Sequence, residues 1–282
     1  LARYQGYDPT EALFVLAVFG VAFPSLAWAL TRGLGPAAID IPRPGWETAL
    51  VCAYLALFAF GVLGYGFTWL RDHLPDARAH ELAVFVVKLV TMVLLPALLL
   101  RLAGHRLGSL LRWDLRLRDH GLVLAGLGGA LLLFEAVFGQ GLKTLGALQA
   151  DIGALTLGAP LCLLWLAIDT GLTEEFLFRV VIQTRLSAWL RSETAGVVVM
   201  ALLFGIAHAP GYYLRNAFAA EGSTASPSLL MCVGYAVVVT STTGFLFGVV
   251  WARTRSLVLV SLLHALNDLL PNLADFIRDW LR

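Results

Sequence analysis

The run Thr173-Glu174-Glu175-Phe176-Leu177-Phe178-Arg179 holds two carboxylates and a guanidinium inside the stretch Gly158–Val181, which is otherwise almost wholly apolar. Such a stretch is long enough to cross a bilayer, which takes about 20 residues. An ionised side chain at bilayer depth costs about 2.5–3.5 kcal/mol on insertion scales, so these groups have to be used or paired. Helical spacing separates them. Glu175 and Arg179 are four residues apart and about 40° from eclipsed, which suits an ion pair on one face. That pair reads as structural, because burial demands pairing. Glu174 is rotated about 100° from Glu175 and has no cation on its own helix, while Thr170 lies one turn before it on the same side.

Two later apolar segments carry the matching polar groups. One contains Phe204-Gly-Ile-Ala-His208, just before Pro210. The other contains His264-Ala-Leu-Asn267-Asp268, in which His264 shares a face with Asn267 and Asp268. Glu174, His208 and His264 therefore come from three helices, and the economical way to house them is around one wet central cavity. There, a carboxylate without its own cation is a candidate general base for water. One histidine shares the proton or orients the water, and a second histidine with an amide suits a developing oxyanion. No Ser or Cys has an adjacent base, so a covalent nucleophile is not indicated. Hydrolysis of an amide by activated water uses every one of these residues.

Plainer roles account for the remaining polar residues. His208 taken alone also fits a hydrogen-bonded packing residue. Glu135 and Asp169 read as isolated polar contacts, and Lys88 as a side chain near the start of its span that snorkels to the surface. Thr240-Ser-Thr-Thr243 is expected to bond back to helix carbonyls. Cys52, Cys162 and Cys232 are far apart and lack metal-ligand spacing, so they read as packing residues.

The elements that must position these groups are membrane spans. Of 282 residues, 59% are apolar and only 14% charged, and the mean hydropathy is +0.80. Eight continuous apolar segments, roughly 11–30, 47–70, 82–104, 119–140, 158–182, 195–214, 228–251 and 257–279, predict an all-α polytopic membrane protein. The expected architecture is about eight transmembrane helices around a central cavity, in a single integral membrane domain over 1–282. The first apolar run is read as a span rather than a leader. A formal charge of +1 argues against a nucleic-acid partner. An excess of arginine in the odd-numbered loops places both termini outside the cytoplasm. It leaves large outward loops around Gly141–Leu157 and Gly211–Ser228. Richness in Ala, Leu, Gly and Arg with only two lysines points to a GC-rich bacterial source and hence to the inner membrane.

The motifs together resemble the CPBP family of intramembrane proteases, which includes the type II CAAX prenyl endopeptidases and bacterial bacteriocin-processing and self-immunity proteins. The resemblance covers Leu161–Leu270. It rests on Glu174-Glu175-x-x-x-Arg179, Phe204-x-x-x-His208, the stretch Gly244-Phe-Leu-Phe-Gly248 to Arg253, and His264 with Asn267 or Asp268 after it. It implies an eight-helix fold with a cavity open to lipid, and a metal-free glutamic protease. In that reading Glu174 activates the hydrolytic water, His208 assists, and His264 serves the oxyanion side, while Glu175, Arg179 and Phe204 support the site. The family's last motif usually places Asn where this chain has Asp268, so either Asn267 or Asp268 could be the oxyanion donor. The implied substrate is a peptide bond in or near the C-terminal or membrane-proximal segment of a membrane protein. Two alternatives stay open. Glu174, His208 and His264 also spell a two-histidine, one-carboxylate zinc set, although His-Glu-x-x-His is absent. A non-catalytic immunity factor, chaperone or transporter would also hold polar residues in its spans.

Overall fold

The computed structural model describes residues 9–34, 39, 41–105, 117–215 and 228–282. Among them there is no strand, and eight helices are long and apolar enough to span a membrane. These are α1 (Ala12–Leu30), α2 (Pro44–His73), α3 (Ala77–Leu102), α4 (His120–Phe138), α5 (Ile152–Leu190), α6 (Glu193–Arg215), α7 (Leu229–Thr254) and α8 (Leu257–Leu281). The chain is thus an all-α, multi-pass membrane protein. Large apolar side chains such as Leu57, Leu230 and Ile152 lie on its surface, as lipid contact requires. Asp76, Asp151, Ser228 and Ser256 cap α3, α5, α7 and α8, each accepting from the backbone N–H three residues on.

The spans begin and end close to where hydropathy puts them, except in α5. That helix continues past Val181 to Leu190 for a total of 39 residues. Hydropathy falls at Gln183-Thr184-Arg185, but the backbone stays helical because each of these side chains finds a partner. Arg185, fully buried, meets Glu47 at 3.0 Å. The outward loop expected over Gly141–Leu157 is instead a helix at Gly141–Leu148 followed by the start of α5. Of the other expected loop, residues 216–227 lie outside the described residues, as do residues 106–116 of the arginine-rich loop after α3.

Contacts divide the chain into two compact units: Leu1–Ala29, Gly35–Pro75 and Phe178–Arg253 in one, and Leu30–Leu34, Asp76–Leu177 and Thr254–Arg282 in the other. In the first, α6 packs on α2, on the second half of α5 and on α7. Gly205 sits against the Ala236 carbonyl, so α6 and α7 approach at backbone distance. In the second unit, α8 packs on α4 and on the first part of α5. Its apolar stripe Ala265, Leu269, Leu273 and Ile277 closes on Cys162 and Leu166. In lipid such a stripe gains by close packing rather than by leaving water, which is why small residues line it. Gly158 lies against Ile277 and Gly171 against the Ser261 carbonyl. That pairing order makes α5 and α8 antiparallel. Cys162 and Cys232 are buried, Cys52 is half-buried, and all three are free thiols, as packing residues should be.

Candidate active site

The Gly171–Ser261 crossing positions the acidic turn. A Cβ at residue 171 would collide with the Ser261 backbone, so glycine is what allows α5 and α8 to touch there. Glu175 lies one turn beyond the crossing on α5, and His264 lies one turn beyond it in the opposite direction on α8. Helical side chains lean toward their own N-terminus, so in antiparallel helices these two lean toward each other. They meet with His264 Nδ1 2.8 Å from Glu175 Oε1. Both are buried, Glu175 completely. A carboxylate oxygen only accepts, so Nδ1 carries the hydrogen and the ring orientation is set.

With Nδ1 committed, Nε2 points at two other carboxylates. Asp268 Oδ2 lies 3.5 Å away and Glu174 Oε2 4.0 Å away. The other Asp268 oxygen accepts from the Asn267 amide at 3.0 Å. The structure thus brings Glu174, Glu175, His264, Asn267 and Asp268 together in one unit. The bond between Glu175 and His264 was not foreseen from sequence, which gave Glu175 to Arg179 alone. The turn Thr173–Glu175 is a short α segment between π-helical stretches at Ala167–Leu172 and Phe176–Gln183. Such π segments often mark functional positions.

Two sequence expectations are corrected here. Lys88 does not snorkel. It is buried on α3, where its Nζ lies 3.0 Å from Asp169 Oδ2 and 3.8 Å from Glu174 Oε1. Glu174 therefore does have a cation beside it, supplied by another helix, and Asp169 is not an isolated contact. Strong carboxylate partners inside the fold outcompete the route to the surface. Thr173 adds a hydroxyl donated to the Asp169 carbonyl. The signal available in the sequence was that Lys88 is an intramembrane cation, which marks function by default.

The first unit holds Arg179, Phe204 and His208. His208 Nδ1 is 2.7 Å from the Phe204 carbonyl, which makes Nδ1 the donor and gives Nε2 its acceptor lone pair when the ring is neutral. The Phe204 ring lies 4.7 Å from the His208 ring and meets Phe178 edge-on at 4.8 Å. The Arg179 guanidinium stands 5.3 Å over Phe204, within cation–π range. Arg179 also donates to Gln183 at 3.5 Å, and Gln183 donates to the Gly248 carbonyl at 2.9 Å. These contacts explain two glycines of α7. A Cβ at Gly244 would press on Phe204, and one at Gly248 on Gln183. Ser241 and Thr242 bond back to Ala236 and Val239, as expected of that run, but the Thr240 hydroxyl pairs with the Tyr212 hydroxyl at 2.8 Å. Gln183 and Tyr212 had no motif to betray them.

Among the described residues no group of three or more His, Cys, Asp or Glu side chains is arranged to hold a metal ion.

Compared with known families, residues 156–270 match the family model described as type II CAAX prenyl endopeptidase Rce1-like. The matched region contains Glu174, Glu175, Arg179, Phe204, His208, His264, Asn267 and Asp268. No curated protein and no solved structure matches the chain.

Proposed function

Because the chain belongs, through residues 156–270, to the type II CAAX prenyl endopeptidase Rce1-like family, a family of proteases, we propose that it is a glutamic intramembrane endopeptidase. Its substrate is a membrane protein, cut in or near a C-terminal or membrane-proximal segment. The observation that carries the reading is the imidazole of His264, held at Nδ1 by Glu175 with Nε2 turned toward Glu174. Glu174 takes a proton from water as the oxygen attacks the scissile carbonyl carbon. His264, an imidazolium with a hydrogen on each ring nitrogen among Glu174, Glu175 and Asp268, donates from Nε2 to the oxyanion that forms, a role for which a fixed ring is preorganised. The C–N bond then breaks as the proton passes from Glu174 to the leaving amine. His208 enters on its motif, with Phe204 setting its tautomer, as the group that assists the water. Glu175 and Arg179 are positioning residues. Asp268, bound to the Asn267 amide, orients the polar end of α8, so the oxyanion donor is His264. No cofactor and no metal take part. The partners are the substrate and the bilayer, with no nucleic acid, and the location is the bacterial inner membrane.

The test is cleavage of a membrane-anchored substrate in proteoliposomes, with the substrate first captured by the Glu174→Gln variant and read by mass spectrometry. Glu174→Ala, His208→Ala and His264→Ala are each expected to abolish cleavage while the protein still inserts and folds, with His264→Ala alone also losing stability because it strands the buried Glu175 carboxylate. Full processing by Glu174→Ala would overturn the reading. No cleavage by the parent protein, together with loss of stability in the same variants, would instead support a non-catalytic membrane protein that keeps these residues for structure.

A further inference from the structure

A second polar feature lies in the same unit, next to the candidate site but outside it. A cavity of about 330 Å³ opens between α3, α5 and α8. At its outer end stand Glu81, in the early turns of α3, and Asp275, exposed near the end of α8. At its inner end stand Lys88, Asp169 and Thr170. Lys88 is seven residues beyond Glu81, about 10 Å deeper along the helix. It is also the residue that reaches Glu174 at 3.8 Å. The cavity thus leads from the ends of α3 and α8 to the wall behind the proposed general base. Its volume has room for about ten waters at their liquid density.

Three observations say what fills it. The lining mixes both signs of charge at a depth where an isolated charge costs about 2.5–3.5 kcal/mol, a cost that water removes. Two buried polar atoms of lining residues, His80 Nδ1 and Asp169 Oδ1, have no hydrogen-bond partner in the protein, the situation ordered water relieves. Hydrolysis at Glu174 also consumes a water for each bond cut, inside a solvent that contains none. We infer that the cavity between α3, α5 and α8 is a water inlet that supplies Glu174, with the Lys88–Asp169 pair as its inner wall. The delivery role rests on the reading of Glu174 as the base. The wetness of the cavity does not.

Thiol accessibility separates the two. In a background with Cys52, Cys162 and Cys232 replaced by Ala, single cysteines are placed at Thr170 and at Val84, both lining the cavity. A third is placed at Ile168, which is on α5 but exposed toward lipid. The probe is the cationic, membrane-impermeant 2-(trimethylammonium)ethyl methanethiosulfonate, with adducts read by intact mass. Only a thiolate reacts, and thiolate needs water, so Thr170→Cys and Val84→Cys are expected to react at least about tenfold faster than Ile168→Cys. Equal rates at all three positions mean a dry cavity and overturn the inference. The second reading is substrate cleavage by the Thr170→Cys protein before and after modification. A loss of at least about fivefold supports delivery to Glu174, because a bulky cation then plugs the path. Unchanged cleavage by fully modified protein overturns the delivery role. Failure of the protease reading shows separately, as Glu174→Gln without effect, and leaves the accessibility result intact.

Discussion

Replacing Lys88 by Met removes the lysine ammonium that faces both Asp169 and Glu174 while keeping most of its volume. The side chains of Lys88, Asp169 and Glu174 are 10%, 14% and 15% exposed, so solvent screens them little. At an effective dielectric of about 20, a contact at 3.0 Å corresponds to about 5 kcal/mol of attraction and one at 3.8 Å to about 4 kcal/mol. Relaxation and water entry return part of this, and removing one partner of a buried pair typically costs about 3–5 kcal/mol. Lys88→Met is therefore expected to lose about 3–5 kcal/mol in equilibrium unfolding of the purified protein in detergent. A wet cavity beside the pair would put the value toward the low end. The paired variant Lys88→Met/Asp169→Leu is the control. With the nearer carboxylate gone, most of the loss should return, because replacing both charges by apolar groups is close to neutral. The remainder reports Glu174. A single variant within about 0.5 kcal/mol of the parent, or a double variant no better than the single, would refute the view that Lys88 serves these two carboxylates.

Three further outcomes follow from the same geometry. Gly171→Ala should cost about 1–3 kcal/mol by forcing α5 from α8, and should reduce cleavage more than other small-to-Ala changes on α5, because the His264–Glu175 bond spans that crossing. Glu175→Ala should cost about 1–3 kcal/mol, since it leaves the buried Nδ1–H without its carboxylate. Glu175→Gln, which keeps an acceptor, should cost clearly less in the same unfolding measurement. Cleavage should survive treatment with 1,10-phenanthroline, with less than a tenth of an equivalent of zinc by elemental analysis (a stoichiometry below about one in ten serves no obligatory site). Loss of cleavage restored by added zinc would return the zinc reading.

How far the sequence reaches can be judged from particular residues. The eight spans were readable because lipid allows only continuous apolar helices, and each run is long. The extension of α5 through Arg185 was not readable, because the charge that ends the hydropathy signal is neutralised by Glu47, 138 residues earlier. The polar clusters on α5, α6 and α8 stood out because they are costly in lipid. Their pairing was legible only within a single helix. Thus the Phe204–His208 turn and the Asp268–His264 spacing appear in the structure as their intervals imply. Lys88 was assigned to the surface because hydropathy sees only its position near the start of a span.

The order of elements, the membrane class and the polar residues Glu174, Glu175, His208, His264, Asn267 and Asp268 are legible in the sequence alone, since they depend on local composition and on the cost of charge in hydrocarbon. Which of those residues meet was decided only by tertiary structure. Glu175 reaches His264 because Gly171 lets two antiparallel helices touch. Glu174 gains Lys88 because α3 packs beside α5. Such contacts join residues more than 80 positions apart, and their geometry depends on backbone approach, which no local pattern of side chains encodes.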